Sequence, residues 1–195
     1  MRHSVDNIIL PMAGLGLRFK ENNFGTIKPL IKVDHQCILE KSISKLPNSA
    51  NKIIILKNEI HKKYSNLRKL IKKNKFNILL LNKNTLGQAD TCHKAKKLIN
   101  DNEDVFIHSC DYILRFSKKK FIDLKKSCDV IVFTYKLKSR IVKNYCDFAY
   151  CSFDKNKTVN KITEKKTVSD DPANDHMIVG TFWFKKAKDL FMSCE

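Results

Sequence analysis

Two hydrophobic periods take turns along this chain. Val5 to Pro11 carries the continuous apolar run Ile8-Ile9-Leu10, the pattern of a strand buried on both faces. A turn at Asp34-His35 precedes a short helix over Cys37 to Leu46, and Lys52 to Leu56 predicts a second strand. From Glu59 to Lys73, Ile60, Tyr64, Leu67, Leu70 and Ile71 recur at helical spacing. Asn77 to Leu81 predicts a third strand, Asp90 to Ile99 a helix with Ala95, Leu98 and Ile99 inward, and Asp104 to His108 a fourth strand. A helix over Lys118 to Lys126 then leads into the β-branched run Val130 to Tyr135. Repeated strand–helix units call for a parallel sheet with helices on both faces.

After residue 140 the pattern changes. Asp147 to Phe153 and Val159 to Thr163 read as a hairpin around Asp154-Lys155-Asn156-Lys157. A polar loop from Ser169 to Asp175 precedes the β-rich segment Met177 to Phe184, and a closing helix starts at Lys186. These strands are expected to add antiparallel to the sheet edge. No internal repeat and no linker-like tract divides the chain, so residues 1–195 are expected to form a single domain.

A hydrophobic content of 43% excludes wholesale disorder. No apolar run reaches the roughly 18 residues of a membrane span. Arg2 and His3 ahead of an apolar stretch imitate a signal peptide, but Asp6 and Asn7 interrupt it, and the segment reads as a core strand. The net charge of +18 would suit a polyanion, yet 33 of the 38 basic residues are Lys, and they are spread over the whole chain. A nucleic-acid-binding domain would interleave aromatics with a basic face, whereas the aromatics here sit within apolar strands. A positive field would still gather phosphorylated substrates. Seven cysteines with no Cys-x-x-Cys spacing point to buried free thiols and a reducing cytoplasm.

The candidate chemistry begins where the first strand ends. Gly14 and Gly16 let the backbone approach phosphate oxygens without a Cβ in the way, and loop N–H groups can bond those oxygens. Arg18 and Lys28, the latter in Lys28-Pro29-Leu30, would balance the remaining charge. A dinucleotide fingerprint requires a third glycine where Phe19 stands, and a P-loop requires a Gly-Lys-Ser/Thr that the chain lacks. Asp111, just past the fourth strand, lies at the same rim and suits Mg²⁺, while His108 and Cys110 read as buried structural residues. Two readings stand for Asn84 to Asp90: Gly87 and Gln88 contact a base, or Thr85 or Asn84 caps a helix. Glu164-Lys165-Lys166 on its own is also compatible with a solvated charge run.

Taken together and in order, Met12-Ala13-Gly14-Leu15-Gly16-Leu17-Arg18-Phe19, Lys28-Pro29-Leu30, Gly87-Gln88-Ala89-Asp90, Cys110-Asp111, Glu164-Lys165 and Val179-Gly180-Thr181 resemble the sugar-phosphate nucleotidylyltransferases, in particular the short capsule- or cell-surface-type NTP-transferase proteins. The resemblance implies a Rossmann-like (GT-A-like) nucleotidyltransferase fold with a mixed, mostly parallel sheet. It implies transfer of a nucleotidyl group from a nucleoside triphosphate to a sugar 1-phosphate, with release of pyrophosphate. By the match, Ala13, Gly14, Leu15, Gly16 and Arg18 hold the triphosphate, Lys28 faces its phosphates, Gly87 and Gln88 contact the base, and Asp111 binds Mg²⁺. Glu164, Lys165 and Gly180 match acceptor-site positions, and Arg18, Lys28 and Lys165 are the implied catalytic cations. The expected partners are a nucleoside triphosphate and a phosphorylated small-molecule acceptor, not a membrane or nucleic acid, with homo-oligomer formation left open. Relatives usually continue beyond Glu195, often with a second metal-binding carboxylate, so the chain is expected to be a fragment or a naturally short form. Two alternatives stay open. One is a cytidylyltransferase for a headgroup such as phosphocholine, with Tyr150, Phe182, Trp183 and Phe184 as aromatic faces. The other is a catalytically silent nucleotide-binding subunit or basic nucleic-acid-binding domain.

Overall fold

A computed structural model of the chain describes residues 4–14, 26–136 and 145–195. The chain divides into two compact units, Met1–Ile131 with Phe182–Glu195, and Val132–Thr181.

The first unit is built on the parallel strands that the apolar runs predict. Strand β1 (Asn7–Met12) leads to a 3₁₀ turn at Lys28–Leu30. Strands β2 (Lys32–Val33) and β3 (Gln36–Cys37) form a small hairpin whose turn residues, Asp34 and His35, both have positive φ, 47° and 67°. That is the backbone a two-residue hairpin needs to match strand twist. Helix α1 (Ile38–Ile43) starts on a reciprocal cap in which Cys37 Sγ accepts from the Glu40 N–H and Glu40 accepts from the Cys37 N–H. Strand β4 (Asn51–Lys57), helices α2 (Asn58–Lys63) and α3 (Ser65–Lys73), strand β5 (Asn77–Leu81), helix α4 (Gln88–His93) and strand β6 (Val105–Ile107) follow. Helix α5 (Lys118–Ser127) is capped by Ser117, whose hydroxyl accepts from the Lys120 N–H. Strand β7 (Val130–Lys136) runs from this unit into the second.

Strand β1 is central: it pairs in parallel with β4 on one side and β6 on the other, and β4 pairs in parallel with β5. Ile9, Ile53, Ile55, Val105 and Ile107 pack on one face with Cys92, Ala95 and Ile99 and with Ala187, Leu190 and Phe191 of the last helix, α6 (Ala187–Met192). The alternate residues Ile8, Leu10, Ile54, Leu56 and Phe106 are equally buried, so β1, β4 and β6 are covered on both faces, whereas Ile78 and Leu80 of β5 are exposed. Phe121 of α5 meets Phe106 at 5.9 Å and Trp183 at 6.1 Å, both edge-on. The Trp183 indole N–H donates to Asp104, which also takes the Asp6 N–H and the Lys125 ammonium.

One predicted helix is broken in two. Residues 59–73 read as continuous, yet Tyr64 adopts φ −110°, ψ 94° between α2 and α3. The freed carbonyls of His61 and Lys62 accept from the Arg68 guanidinium at 2.5 and 2.8 Å, so a side chain replaces the missing turn. The helix predicted over 90–99 is likewise shorter, with a 3₁₀ turn at Lys96–Leu98 carrying its end.

The second unit is antiparallel. Strands β8 (Ala149–Phe153) and β9 (Val159–Glu164) form the predicted hairpin, and Asp154 closes its turn by accepting from the Asn156 and Thr158 N–H groups. Strand β10 (His176–Phe184) pairs with β8 through His176 and Met177 in this unit. Its last residues, Phe182 to Phe184, pair antiparallel with β6 in the first unit. No helix among the described residues is long and apolar enough to cross a membrane.

Candidate functional site

Because β1, β4, β5 and β6 run parallel, their C-terminal ends share one rim, where open α/β sheets bind ligands. Ala13, buried, and Gly14, exposed, leave β1 there, and a Cβ at Gly14 would meet nothing within 4 Å. Leu15, Gly16 and Arg18 lie outside the described residues.

The rim brings together two predicted residues that are 83 positions apart. The Lys28 ammonium is paired with Asp111 Oδ2. Pro29 is buried behind Lys28 and sets the 3₁₀ turn that carries it. The other carboxylate oxygen, Asp111 Oδ1, is buried and accepts no hydrogen bond. A buried carboxylate oxygen without a donor costs stability, so a fold that retains one keeps an acceptor ready for a ligand. No cluster of three or more metal-ligating side chains occurs among the described residues. Asp111 therefore fits a cation that takes one carboxylate and completes its shell with phosphate oxygens and water. Cys110 does not offer a soft ligand: burial, and then the Asp111 charge, push its thiol up to about 12.

His108 is fully buried beneath this segment, as predicted. Its Nε2 lies 3.1 Å from the Tyr112 carbonyl and 3.0 Å from Ser42 Oγ. A carbonyl can only accept, so Nε2 carries the proton. Ser42 in turn donates to the Ser109 carbonyl over 3.4 Å. Burial lowers the His108 pKa to about 4, although the Tyr112 carbonyl and Asp111 favour the charged form, so the ring is neutral. Nothing in the sequence marks Ser42, a small polar residue on a short helix.

Gly87, not Thr85 or Asn84, caps α4, with no side-chain cap bond. Thr91 fixes the entry instead: its N–H and hydroxyl both donate to the Gly87 carbonyl, and its Oγ1 lies 2.7 Å from that of Thr85. Asp90 accepts the Leu86 N–H at 2.9 Å. A Cβ at Gly87 would meet nothing within 4 Å, leaving room for a planar group against the backbone beside Gln88.

Glu164 ends β9 in the second unit and Lys165 follows it, both exposed. Lys165 has a left-handed φ of 55°, and its N–H donates to the Phe148 carbonyl at 2.9 Å. Gly180 has φ 64° within β10, a backbone state that only glycine adopts without cost. Asp175 is buried and gathers the Val168 N–H, the Ser169 N–H and the Ser169 hydroxyl. Burial pushes its carboxyl up, but the Ser169 hydroxyl and the two N–H donors prevail and hold it below the usual aspartate value. Asp175 therefore folds its own loop. A lowered folded-state pKa adds stability above the unfolded value of about 3.9 and loses it as pH falls through the folded value. Asp175→Ala is expected to cost about 1–3 kcal/mol at pH 7, by stranding these donors. In parallel melts the gap to wild type should hold at pH 5 to 7 and shrink in stronger acid; a gap constant to pH 2 would count against the carboxylate's role.

The aromatic faces considered for a headgroup are occupied by the core. Tyr150 and Trp183 are fully buried, and Phe182 and Phe184 pack against the apolar cluster of the first unit.

No protein of curated function matches the chain. Among solved structures, the nucleoside-diphosphate-sugar pyrophosphorylase of Vibrio cholerae RC9 is similar with a TM-score of 0.70 at 18% identity, over 95% of this chain and 76% of that one. HddC of Yersinia pseudotuberculosis, complexed with GMP-PN, has a TM-score of 0.68 at 20% identity, over 96% of this chain and 79% of that one. The inositol-1-phosphate CTP transferase of T. maritima has a TM-score of 0.68 at 14% identity, over 96% and 73%. These likenesses show the Rossmann-like nucleotidyltransferase fold. The nucleotidyl transferase family model matches residues 7–191. On that match the chain belongs to the nucleotidyl transferase family and is a nucleotidyltransferase.

Proposed function

We propose that this protein transfers a nucleoside monophosphate from a nucleoside triphosphate to a sugar 1-phosphate, releasing pyrophosphate and yielding a nucleotide-activated sugar. The observation that carries the proposal is the Lys28–Asp111 pair at the strand ends, with Asp111 Oδ1 buried and unpartnered. The acceptor is a phosphomonoester whose second pKa is about 6, so it is ionised at neutral pH and needs no general base. One of its oxygens bonds to the α-phosphorus, and the bond to the β-phosphate breaks with its electron pair leaving on pyrophosphate. Catalysis then rests on alignment and charge.

A divalent cation, Mg²⁺ by preference for phosphate and carboxylate oxygens, would be held by Asp111 and would neutralise phosphate charge. Lys28 then exchanges Asp111 for phosphate oxygens. Arg18 and the backbone of residues 13–16 hold the triphosphate, and Gly87 with Gln88 faces the base. Glu164, Lys165 and Gly180 hold the acceptor, with Lys165 beside its phosphate. The resemblance to short capsule- and cell-surface-type proteins extends the proposal to surface polysaccharide synthesis in the cytoplasm. A phosphocholine acceptor finds no support in the buried aromatics.

Thermal melting with CTP, UTP, dTTP, GTP and ATP, each with and without Mg²⁺, tests the reading. One triphosphate at 100 times its Kd should stabilise by about 2.7 kcal/mol, a shift of several degrees at this size, and only with Mg²⁺. No shift with any triphosphate would overturn it.

A further inference from the structure

Asp111 sits in an irregular segment, Ser109 to Tyr112, with no strand ladder or helix to hold it. A carboxylate that meets a cation and phosphate oxygens has to be held to within about 0.5 Å. Something outside the segment must supply that rigidity. We infer that His108 and Ser42 are positioning residues for Asp111, fixing its carboxylate through the two carbonyls that flank it.

The bonds reach the segment from both sides of Asp111. His108 Nε2 donates to the Tyr112 carbonyl, one residue after it, at 3.1 Å. Ser42 donates to the Ser109 carbonyl, two residues before it, at 3.4 Å, and accepts from the same His108 nitrogen at 3.0 Å. The imidazole itself is anchored at the end of β6, where the His108 N–H donates to the Ile9 carbonyl at 3.0 Å. Helix α1 thus ties the Asp111 segment to the sheet. The same helix holds the other half of the pair: the Ile38 N–H donates to the Ile31 carbonyl at 2.9 Å, and the Ile31 N–H to the Lys28 carbonyl at 3.2 Å. Lys28 and Asp111 are therefore set against one bracket. A histidine that only filled the core would serve with any acceptor; here both carbonyls bracket the carboxylate.

The inference rests on the reading of Asp111 as the cation ligand, and the test separates the two. A Gln amide nitrogen falls near the Nε2 position of a histidine, whereas an Asn amide falls near Nδ1. His108→Gln therefore keeps the donor to Tyr112 and His108→Asn loses it, at similar polarity. Mg²⁺ is titrated by thermal melting with each of the five triphosphates present, on wild type, His108→Gln, His108→Asn and Ser42→Ala. Loss of such an outer partner weakens metal sites by tenfold or more, so the half-saturating Mg²⁺ should rise about tenfold in His108→Asn and Ser42→Ala and less than about threefold in His108→Gln. Should His108→Asn fail to fold, Ser42→Ala against His108→Gln carries the comparison. An unchanged Mg²⁺ requirement in the Asn and Ala variants, whatever their unliganded melting temperature, overturns the positioning role; so does an equal rise in Gln and Asn. A wild type that never responds to Mg²⁺ overturns the cation site as well, and the positioning role with it.

Discussion

Asp111→Ala is expected to lower pyrophosphate release by about a thousandfold while leaving the melting temperature within about 3 °C of wild type. The activity loss follows from the role proposed for Asp111. On that reading its carboxylate anchors the cation, and its removal forfeits several kcal/mol of charge stabilisation. The small effect on stability follows from two opposed contributions. The pair with Lys28 is partly exposed, 30% and 22% for the two side chains, and such a pair contributes about 0–1 kcal/mol. Against it stands the buried, unpartnered Oδ1, whose removal relieves a desolvation cost of similar size. Lys28→Ala should lose turnover comparably. Full activity in either variant, with acceptor and triphosphate saturating, would remove the pair from the mechanism.

At Lys165, activity and stability should part company. Its left-handed backbone, φ 55°, costs an ordinary residue roughly 1–2 kcal/mol. Lys165→Gly relieves that cost and gives back about 0.4–1 kcal/mol through a looser unfolded chain, so the variant should be as stable as wild type or slightly more so. Lys165→Ala keeps the strain and should melt with wild type. Both should reduce turnover about a hundredfold, because on the proposed reading each removes a cation from the phosphates. Wild-type turnover in Lys165→Gly would mean that Lys165 is only a solvated turn residue.

The residues that carry these predictions differ in how plainly the sequence announces them. Asp111 is legible because it follows an apolar strand, and parallel strands place such residues at one rim. Its partnership with Lys28 is not, since nothing local links positions so far apart. The break at Tyr64 carries no Pro or Gly signal, because Arg68 compensates it from a full turn away. The cap of α4 misleads for a related reason: Thr85 has the chemistry of an N-cap, but its hydroxyl is engaged with Thr91. Asp175 shows the reverse, a carboxylate in a loop rich in acids whose donors only the folded loop reveals. Strand periodicity survives in β1, β4 and β6 because it reflects burial, whereas caps and breaks depend on which side chain arrives.

The central place of β1 has a consequence for how the molecule is made. Residues 7–12 are made before both of their neighbours, residues 51–56 on one side and 105–107 on the other. The strand that carries the glycine loop must wait unpaired while both partners are synthesised, and β6 closes its second edge only across a separation of 98 residues. Such long-range pairing slows folding and leaves an apolar strand open to wrong partners meanwhile. Synthesis of the stretch between β1 and β6 is thus an exposed interval for β1, whose second edge is secured only when residues 105–107 arrive.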